Sequence, residues 1–346
     1  MEIVDLVVVG AGMAGITCAQ RVQQAGYRVA VIEKSKGLGG RVATRRLDGT
    51  CADHGLRYLE PQGEQTAALI QSLLQTGVLT FWTDQIYEWS SNQIIPAGEP
   101  YPRYAAPDGM TMIAKAAATG LTIYRGQCVL AVIPTPQGWR FTLDPIAAPA
   151  PDLLAKAIVL AIPAPQALNL LEPLASQGLS SEILAKLRSV EFDPCMTAIA
   201  VYASEHEAEI AVAPWQAIRC THDPAVAWIG QESSKRRKAE QPVIVTHSTA
   251  DFAKRYLESD DLQAVGQQLL DRAAAISFPW LSRPQTLQVH RWRYAFVKQA
   301  LPELYLASLF PLPLVCSGEW CGGYQIEAAL QSGQAAAMQI MQAMVT

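Results

Sequence analysis

The sequence has no uninterrupted apolar run of roughly 18 residues or more, the length that marks a transmembrane helix, although 50% of its 346 residues are hydrophobic. It also has no excess of positive charge, because 27 Lys and Arg residues stand against 31 Asp and Glu residues and the net charge is −4. We therefore predict no membrane span and have no electrostatic reason to expect nucleic acid as a partner. A chain of this length can form two domains.

Spacings typical of disulfide or metal centres are also missing. The seven cysteines include no C-x-x-C pair, and the five histidines show no H-E-x-x-H motif or other metal-ligand spacing. We therefore expect thiols in a reducing compartment and no bound metal. Acidic residues at Glu2 and Asp5 lead directly into an apolar strand. This start is unlike a cationic signal peptide, so we expect a cytoplasmic protein.

What the N-terminal residues do contain is a dinucleotide-binding fingerprint. An apolar run over residues 3–9 ends in a G-x-G-x-x-G motif, which opens a helix predicted over residues 13–25. The motif reads Gly10-Ala11-Gly12-Met13-Ala14-Gly15. Gly10 permits the turn, Gly12 lets a pyrophosphate approach the backbone, and Gly15 lets the helix pack on the strand. The diphosphate would then lie at the positive end of this helix, against the first-turn N–H groups that include Met13 and Ala14.

A second apolar strand, predicted over residues 28–32, is followed by Glu33 and Lys34. A carboxylate at this spacing accepts hydrogen bonds from the adenosine ribose, and it repels a 2′-phosphate. Glu33 therefore favours FAD or NAD over NADP. We assign Lys34 to the same cofactor contact.

The segment after Glu33 distinguishes FAD from NAD. It reads Lys36-Gly37-Leu38-Gly39-Gly40-Arg41, followed by Thr44. This segment resembles the second glycine motif of the superfamily that contains FAD-dependent amine oxidases, phytoene desaturases and protoporphyrinogen oxidases. Gly39 and Gly40 permit close backbone approach, and Arg41 supplies a fixed charge for the diphosphate. The alternative is an ordinary glycine-rich turn with solvated side chains.

The order of predicted elements gives an α/β fold: a Rossmann-type FAD-binding domain of the glutathione-reductase-like, amine oxidase superfamily kind, with an inserted α+β substrate domain. We predict a discontinuous FAD-binding domain over residues 1–61, 105–163 and 288–346. Residues 62–104 and 164–287 then form the substrate domain. Within the latter, Lys235, Arg236, Arg237 and Lys238 are expected in a solvated loop.

Over nearly its whole length the chain resembles the renalase-like branch of this superfamily. The segments that carry the resemblance are GAGMAG from Gly10, GLGGRVATRR from Gly37, ADHGLRY from Ala52, RYAAPDGM from Arg103, VTHSTADFAKRYLE from Val245, HRWRYA from His290 and GEWCGGYQIEAAL from Gly318. The resemblance implies noncovalent FAD. It also implies cofactor contacts at Val129, Gly318, Glu319, Gly323 and Ile326, with the helix that begins near Ile326 pointing its N-terminus at the flavin.

The chain departs from the family pattern where substrate would bind. Many relatives have Gly-Ala-Gln-Tyr beside the flavin, whereas this chain has Gly55-Leu56-Arg57-Tyr58. Where the animal enzyme has an arginine after a pair of serines, this chain has Asp193-Pro194-Cys195-Met196. Candidate substrate residues are Arg57, Tyr58, His247, Trp292 and Tyr324. For His247 and Trp292, packing in the core is the alternative role.

The resemblance implies an FAD-dependent oxidoreductase that takes a hydride from a small substrate and passes electrons to dioxygen or another acceptor. An isomeric dihydronicotinamide nucleotide is one expected substrate, because its ring nitrogen expels the hydride and no strong general base is needed. Two alternatives remain open from the sequence. One is an amine oxidase or desaturase acting on a more apolar molecule, and the other is a noncatalytic flavin-binding redox sensor.

Overall fold

The computed structural model describes residues 2–145, 152–239 and 241–345. Its helices are α1 (Met13–Gln24), α2 (Glu64–Gln75), α3 (Thr111–Ala117), α4 (Ala164–Leu171), α5 (Ser181–Ser189), α6 (Glu207–Val212), α7 (Ala250–Tyr256), α8 (Leu262–Ile276) and α9 (Gln325–Val345). None of the helices in these ranges combines the length and apolar character required to cross a lipid bilayer.

The strands of the described ranges fall into two large sheets and two two-stranded sheets. In chain order they are β1 (Glu2–Val9), β2 (Val29–Glu33), β3 (Thr44–Leu47), β4 (Thr50–Asp53), β5 (Thr80–Thr83), β6 (Tyr87–Ser90), β7 (Gln93–Pro96), β8 (Arg103–Ala105), β9 (Thr122–Arg125), β10 (Gln127–Thr135), β11 (Gly138–Pro145), β12 (Leu153–Leu160), β13 (Glu191–Val201), β14 (Ala217–Arg219), β15 (Val226–Gln231), β16 (Val243–Ser248), β17 (Thr286–Gln299), β18 (Leu306–Ser308) and β19 (Leu314–Cys316).

The first sheet has β1 at its centre, parallel to both β12 and β2. Its order is β10-β11-β12-β1-β2-β9, and β19 adds to β12 in parallel. Both faces of β1 are covered: Leu6 and Val8 join the core formed with α1 and α9, whereas Val7 and Val9 join the core formed with α4 and α5. Burial on both faces explains why these strands read as continuous apolar runs.

The last helix packs against the first. In α9, Gly333 lies so close to α1 that a Cβ atom there would overlap the carbonyl oxygen of Ala14. Because β19 pairs with β12 and α9 packs on α1, the first and last elements share one sheet and one helical layer. This agrees with the predicted Rossmann-type fold.

The second sheet has the order β17-β13-β16-β15-β14-β6-β7. Helices α7 and α8 cover one face, where Phe252, Leu269 and Leu270 pack against Met196 and Ile244 of the strands. Strands β6 and β7 come from the predicted segment 62–104 and join strands from the predicted segment 164–287. The inserted α+β architecture is therefore the one observed.

Two elements lie on the other side of the predicted division. We expected the FAD-binding domain to resume at residue 288, but β17 pairs with β13 in the second sheet. Conversely, α2 lies within the segment 62–104, yet its Ile70 and Leu73 pack into the core of the first sheet. An alternating pattern identifies a strand and its two faces, but it does not name the partner strand. The rest of the division stays a prediction.

A side chain from α9 caps the N-terminus of α2. The Glu327 carboxylate accepts hydrogen bonds from the Thr66 backbone N–H (2.7 Å), the Thr66 hydroxyl (2.7 Å) and the Gln65 N–H (3.2 Å). The N-cap residue, Gly63, has no side chain for this role. Although burial opposes ionisation, these hydrogen bonds hold the pKa of Glu327 below its ordinary value.

We expect Glu327→Gln to lower the free energy of unfolding by about 1 kcal/mol, the usual contribution of a helix cap. Because the pKa of Glu327 is lowered in the folded state, this contribution is present above the unfolded pKa of about 4.3 and disappears as the pH falls through the folded pKa. Urea unfolding at pH 7 and pH 3.5 measures it. The control is Glu99→Gln at an exposed loop position; equal losses from both variants at pH 7 would contradict the capping role.

Candidate functional site

The turn between β1 and α1 leaves no room for side chains at two of its glycines. A Cβ atom on Gly10, where φ is +103°, would lie 2.6 Å from the carbonyl oxygen of Ala161, and one on Gly15 would overlap the carbonyl oxygen of Gly10. Gly12 differs, because a Cβ atom there would meet no atom of the protein within 4 Å. No side chain caps α1 at Gly12. The space in front of Gly12 is therefore open at the positive end of the helix.

The carboxylate of Glu33 holds this turn in place. Its two oxygens accept hydrogen bonds from the Ala11 N–H and the Ser35 N–H, each at 2.8 Å, and the residue is 7% exposed. Each carboxylate oxygen has a second lone pair, so the group can still accept a ribose hydroxyl. Lys34, by contrast, is exposed.

The second glycine pair packs onto the first. The Gly39 N–H donates to the carbonyl of Ala11 (2.8 Å), and Gly39 forms a bridge with Gly12. A Cβ atom on Gly40 would lie 3.5 Å from the Cα atom of Gly12. The two glycine motifs, separated in the sequence by α1 and β2, therefore form one cradle.

Arg41 connects this cradle to the C-terminal motif through an ion pair with Glu319. Burial raises the pKa of Glu319, while the Arg41 guanidinium opposes that rise. The neighbouring Gly318 N–H donates to the hydroxyl of Ser332 (3.0 Å). The charge that we expected Arg41 to offer a diphosphate is thus already partly balanced by Glu319.

Three other predicted cofactor residues lie on β3, β10 and α9. The Thr44 hydroxyl donates to Asp53 Oδ1 (2.6 Å) and accepts from the Thr111 N–H (3.0 Å), which ties β3 to α3. Val129 lies at a bulge in β10. Ile326 is in the first turn of α9, whose backbone begins with Gln325 at a φ of +65°.

The segment that follows β4 runs beside Arg41. The Leu56 N–H donates to the carbonyl of Arg41 (2.8 Å), and a Cβ atom on Gly55 would overlap that same carbonyl oxygen. Position 55 must therefore be glycine. The segment that follows leads Arg57 and Tyr58 toward the second sheet. The Tyr58 ring lies 5.8 Å from both Trp82 and Trp228.

Arg57 and His247 contact each other across the two halves of the chain. Arg57 Nε donates to His247 Nδ1 (3.0 Å), and the guanidinium lies 4.5 Å from the centre of the Trp228 ring. Burial lowers the pKa of Arg57. The predicted substrate residues Arg57, Tyr58 and His247 are therefore brought together. Cys195 is also here: burial raises the pKa of its thiol, against the charge of Arg57.

Three aromatic rings form a second group beside Gly55. The ring of His54 lies 4.8 Å from that of His290 and 5.4 Å from that of Trp292, and the Trp292 indole N–H donates to the His54 carbonyl (2.9 Å). Burial lowers the pKa of His54 to about 3 and that of His290 to about 4, and the charge of Arg45 adds to both shifts. Both rings are therefore neutral at pH 7.

Tyr324 is not joined to these groups. Its side chain is 56% exposed, just after Gly323, at which φ is +156°. Cys321 is nearby in the sequence but fully buried, and burial raises the pKa of its thiol.

The structure corrects our expectation of a solvated loop around Lys235. The side chains of Lys235 and Arg236 are only 1% and 3% exposed, and they pair with the equally buried carboxylates of Asp53 and Glu232. We call these four residues the buried charge cluster. Lys235 Nζ also donates to the carbonyl of Arg57 (2.7 Å). The cluster therefore joins β4 to the second sheet and supports Arg57.

The charges in this cluster balance, with two carboxylates and two cations. Although burial opposes it, the charges of Lys235 and Arg236 lower the pKa of Asp53, whereas burial raises the pKa of Glu232. Sequence reasoning missed this cluster. The signal was the spacing of Glu232 to Lys235 and to Arg236, which are i,i+3 and i,i+4 pairs. Within the described ranges, no group of three or more His, Cys, Asp or Glu residues is arranged to hold a metal ion.

Comparison with known proteins places these motifs in a family. Residues 8–73 match the model of an NAD(P)-binding Rossmann-like domain, and residues 79–341 match that of the flavin containing amine oxidoreductases. The putrescine oxidase of Kocuria rosea is 38% identical over 69 residues, which is 20% of this chain and 14% of that protein. An L-amino-acid oxidase of Siganus canaliculatus is 48% identical over 52 residues, or 14% of this chain and 10% of that protein.

Solved structures share the fold at low sequence identity. Putrescine oxidase bound to putrescine superposes with a TM-score of 0.70 and 14% identity, covering 99% of both chains. Cyclohexylamine oxidase from Brevibacterium oxydans has a TM-score of 0.72 and 12% identity, covering 98% of this chain and 99% of that one. At these identities the likeness shows the fold, which agrees with the predicted architecture.

We expect Lys235→Met to destabilise the protein by about 3–5 kcal/mol, because removing one partner of a buried ion pair leaves a charge uncompensated. Urea-induced unfolding followed by fluorescence and circular dichroism measures the loss. Lys238→Met is the matched control, since Lys238 is exposed three residues away, and it should change stability by less than about 0.5 kcal/mol. Adding Glu232→Gln to Lys235→Met should recover part of the loss. Equal stability of the two Lys→Met variants would show that the cluster contributes nothing.

Proposed function

Because the chain belongs to the family of flavin-containing amine oxidoreductases, we propose that it oxidises a small amine by hydride transfer to noncovalently bound FAD. The family match makes the protein an FAD-dependent oxidoreductase of the amine oxidase type. The small amine as the substrate is a proposal, as is the final electron acceptor, which is dioxygen or another molecule.

The observation that carries the proposal is the convergence of three distant motifs on one cradle. Gly39 of the second glycine pair forms a bridge with Gly12 of the fingerprint. Arg41, which follows that pair, forms an ion pair with the C-terminal Glu319. The open space at Gly12 fits a diphosphate, and the position of Glu33 fits a ribose. We therefore propose that this cradle holds FAD.

Bound FAD supplies the hydride acceptor, and the protein supplies orientation. The side chains next to Gly55 suit a task without strong acid–base catalysis. His54 and His290 are held neutral, and burial together with the charge of Arg57 keeps the pKa of His247 well below its ordinary value. An amine that enters as the free base carries its own electron pair, so hydride loss needs no protein base to remove a proton first.

The second candidate is the renalase-like activity, in which an isomeric dihydronicotinamide nucleotide is the hydride donor. The observation that favours it is the cation at Arg57, which could pair with a nucleotide phosphate. The ring nitrogen of such a donor expels the hydride without a base, which is consistent with the neutral histidines. This candidate also requires FAD in the same cradle.

Anaerobic mixing separates the two candidates. We expect a small primary amine to bleach the oxidised flavin absorbance of the holoprotein, whereas the 2-, 4- and 6-dihydronicotinamide isomers leave it unchanged. Reduction by one dihydronicotinamide isomer alone would select the renalase-like activity instead. If neither class of donor reduces the flavin, both candidates are wrong.

Substitution at the cradle tests the FAD site independently of turnover. We expect Gly12→Ala to fold normally, because the added methyl group meets no protein atom, but to bind FAD at least about tenfold more weakly, a loss of about 1.4 kcal/mol. Equilibrium titration of apoprotein with FAD, followed by flavin fluorescence, measures the affinity. Gly37→Ala is the control, since a methyl group there also meets no protein atom within 4 Å. Unchanged FAD affinity in Gly12→Ala would remove Gly12 from the cofactor site.

A further inference from the structure

Arg57 is a half-buried cation without a counter-charge among the described residues. Its Nε atom donates to a neutral ring and its planar face lies over Trp228, but no Asp or Glu of the described residues pairs with it. Arg219, which has the same sign, adds to the lowering of the Arg57 pKa that burial causes. By contrast, Arg236 of the buried charge cluster has two carboxylate partners, Asp53 and Glu232. Withdrawing a guanidinium from water without such a partner has an unfavourable desolvation free energy. A ligand that supplies the anion offsets it.

The contact with His247 decides which part of the guanidinium is free. A guanidinium nitrogen only donates, so His247 Nδ1 must be the unprotonated acceptor and the ring proton is on Nε2. His247 is 2% exposed, and its Nε2 atom has no hydrogen-bond partner in the part of the chain that the structure describes. Since Nε of Arg57 is occupied, its two terminal NH₂ groups remain, and these form the end that binds a carboxylate through two parallel hydrogen bonds.

Arg57 is held in this orientation from three sides. Lys235 fixes its carbonyl at 2.7 Å, Trp228 supports the guanidinium face, and His247 fixes Nε. The side chain remains partly exposed, whereas His247 and Lys235 are buried. The guanidinium is therefore preorganised, and the residue is not closed off from solvent.

We propose that Arg57 binds a carboxylate group of the substrate, and that His247 is a positioning residue that keeps the terminal NH₂ groups of Arg57 free for it. This inference rests on the proposed function and narrows its substrate to small amines that also carry a carboxylate. The buried charge cluster supports Arg57 from behind through Lys235.

The test uses binding to the oxidised holoprotein, so it needs no turnover. Benzoate, benzamide and phenyl phosphate are titrated separately, and the shift of the visible flavin spectrum gives each dissociation constant. We expect benzoate to bind at least about tenfold more tightly than the isosteric neutral benzamide. Arg57→Gln should remove this preference, while Arg57→Lys, which keeps the charge without the planar fork, should retain part of it.

Two further variants test the roles separately. Arg255→Gln, the same change at an exposed position on α7, should preserve the preference for benzoate. His247→Asn, which keeps an acceptor near the position of Nδ1, should retain more of the preference than His247→Leu. FAD occupancy is measured in every variant from the ratio of flavin to protein absorbance.

The proposal is overturned if benzoate and benzamide bind equally or not at all, or if Arg57→Gln keeps the preference. Tighter binding of phenyl phosphate than of benzoate would replace the carboxylate by a phosphate. Loss of FAD from Arg57→Gln and Arg57→Lys, with His247→Leu unaffected in benzoate binding, would assign Arg57 to the cofactor instead. Failure of amines to reduce the flavin would contradict the proposed function. The benzoate titration would still test the role of Arg57, because it measures binding without turnover.

Discussion

The close approach of backbone segments at the turn after β1 is the constraint on which the rest of the structure depends. Gly15 must lie against the carbonyl of Gly10, and Gly333 of α9 must lie against the carbonyl of Ala14. These two contacts place the first turn of α1 at the end of the central strand and bring the C-terminal helix beside it. The second glycine pair can then pack on the first, and Glu319 can reach Arg41. A side chain at either contact would separate the motifs that form the cradle.

The β3–β4 pair is joined to the second sheet by charge as well as by apolar packing. Asp53 lies at the end of β4, and it meets Arg236 and Lys235 of the other half with all three side chains out of water. Such a network adds little net stability compared with a well-packed apolar core, because the desolvation of each charge offsets the attraction. Its geometry is demanding, however. A network that tolerates few arrangements is suited to fixing how β4 sits on the second sheet, and hence where the adjoining segment with Arg57 lies.

Sequence reasoning predicted the parts of the site whose chemistry is local. The glycine fingerprint, Glu33 and the second glycine pair have fixed spacings, because each is imposed by a turn or by a strand end. It did not predict contacts that depend on tertiary placement. In the sequence, Lys235 and Arg236 resemble an ordinary solvated basic run. Their partner Asp53 lies nearly two hundred positions earlier, and only the folded structure brings it beside them. Similarly, β17 has the pattern of a strand, but only its pairing with β13 shows which sheet contains it.

The fold and the substrate preference are set by different residues. The fold is shared with oxidases of putrescine and of cyclohexylamine at 12–14% identity, so the fold alone leaves the choice of substrate open. We propose that this choice depends on side chains of the segment after β4 and of β16. Here that surface presents neutral histidines and one cation without a counter-charge. A site that is neutral except for one guanidinium attracts an anionic group and gives no carboxylate to a diamine's second ammonium. The local charge therefore argues for a substrate unlike putrescine, even though the frame around it is similar.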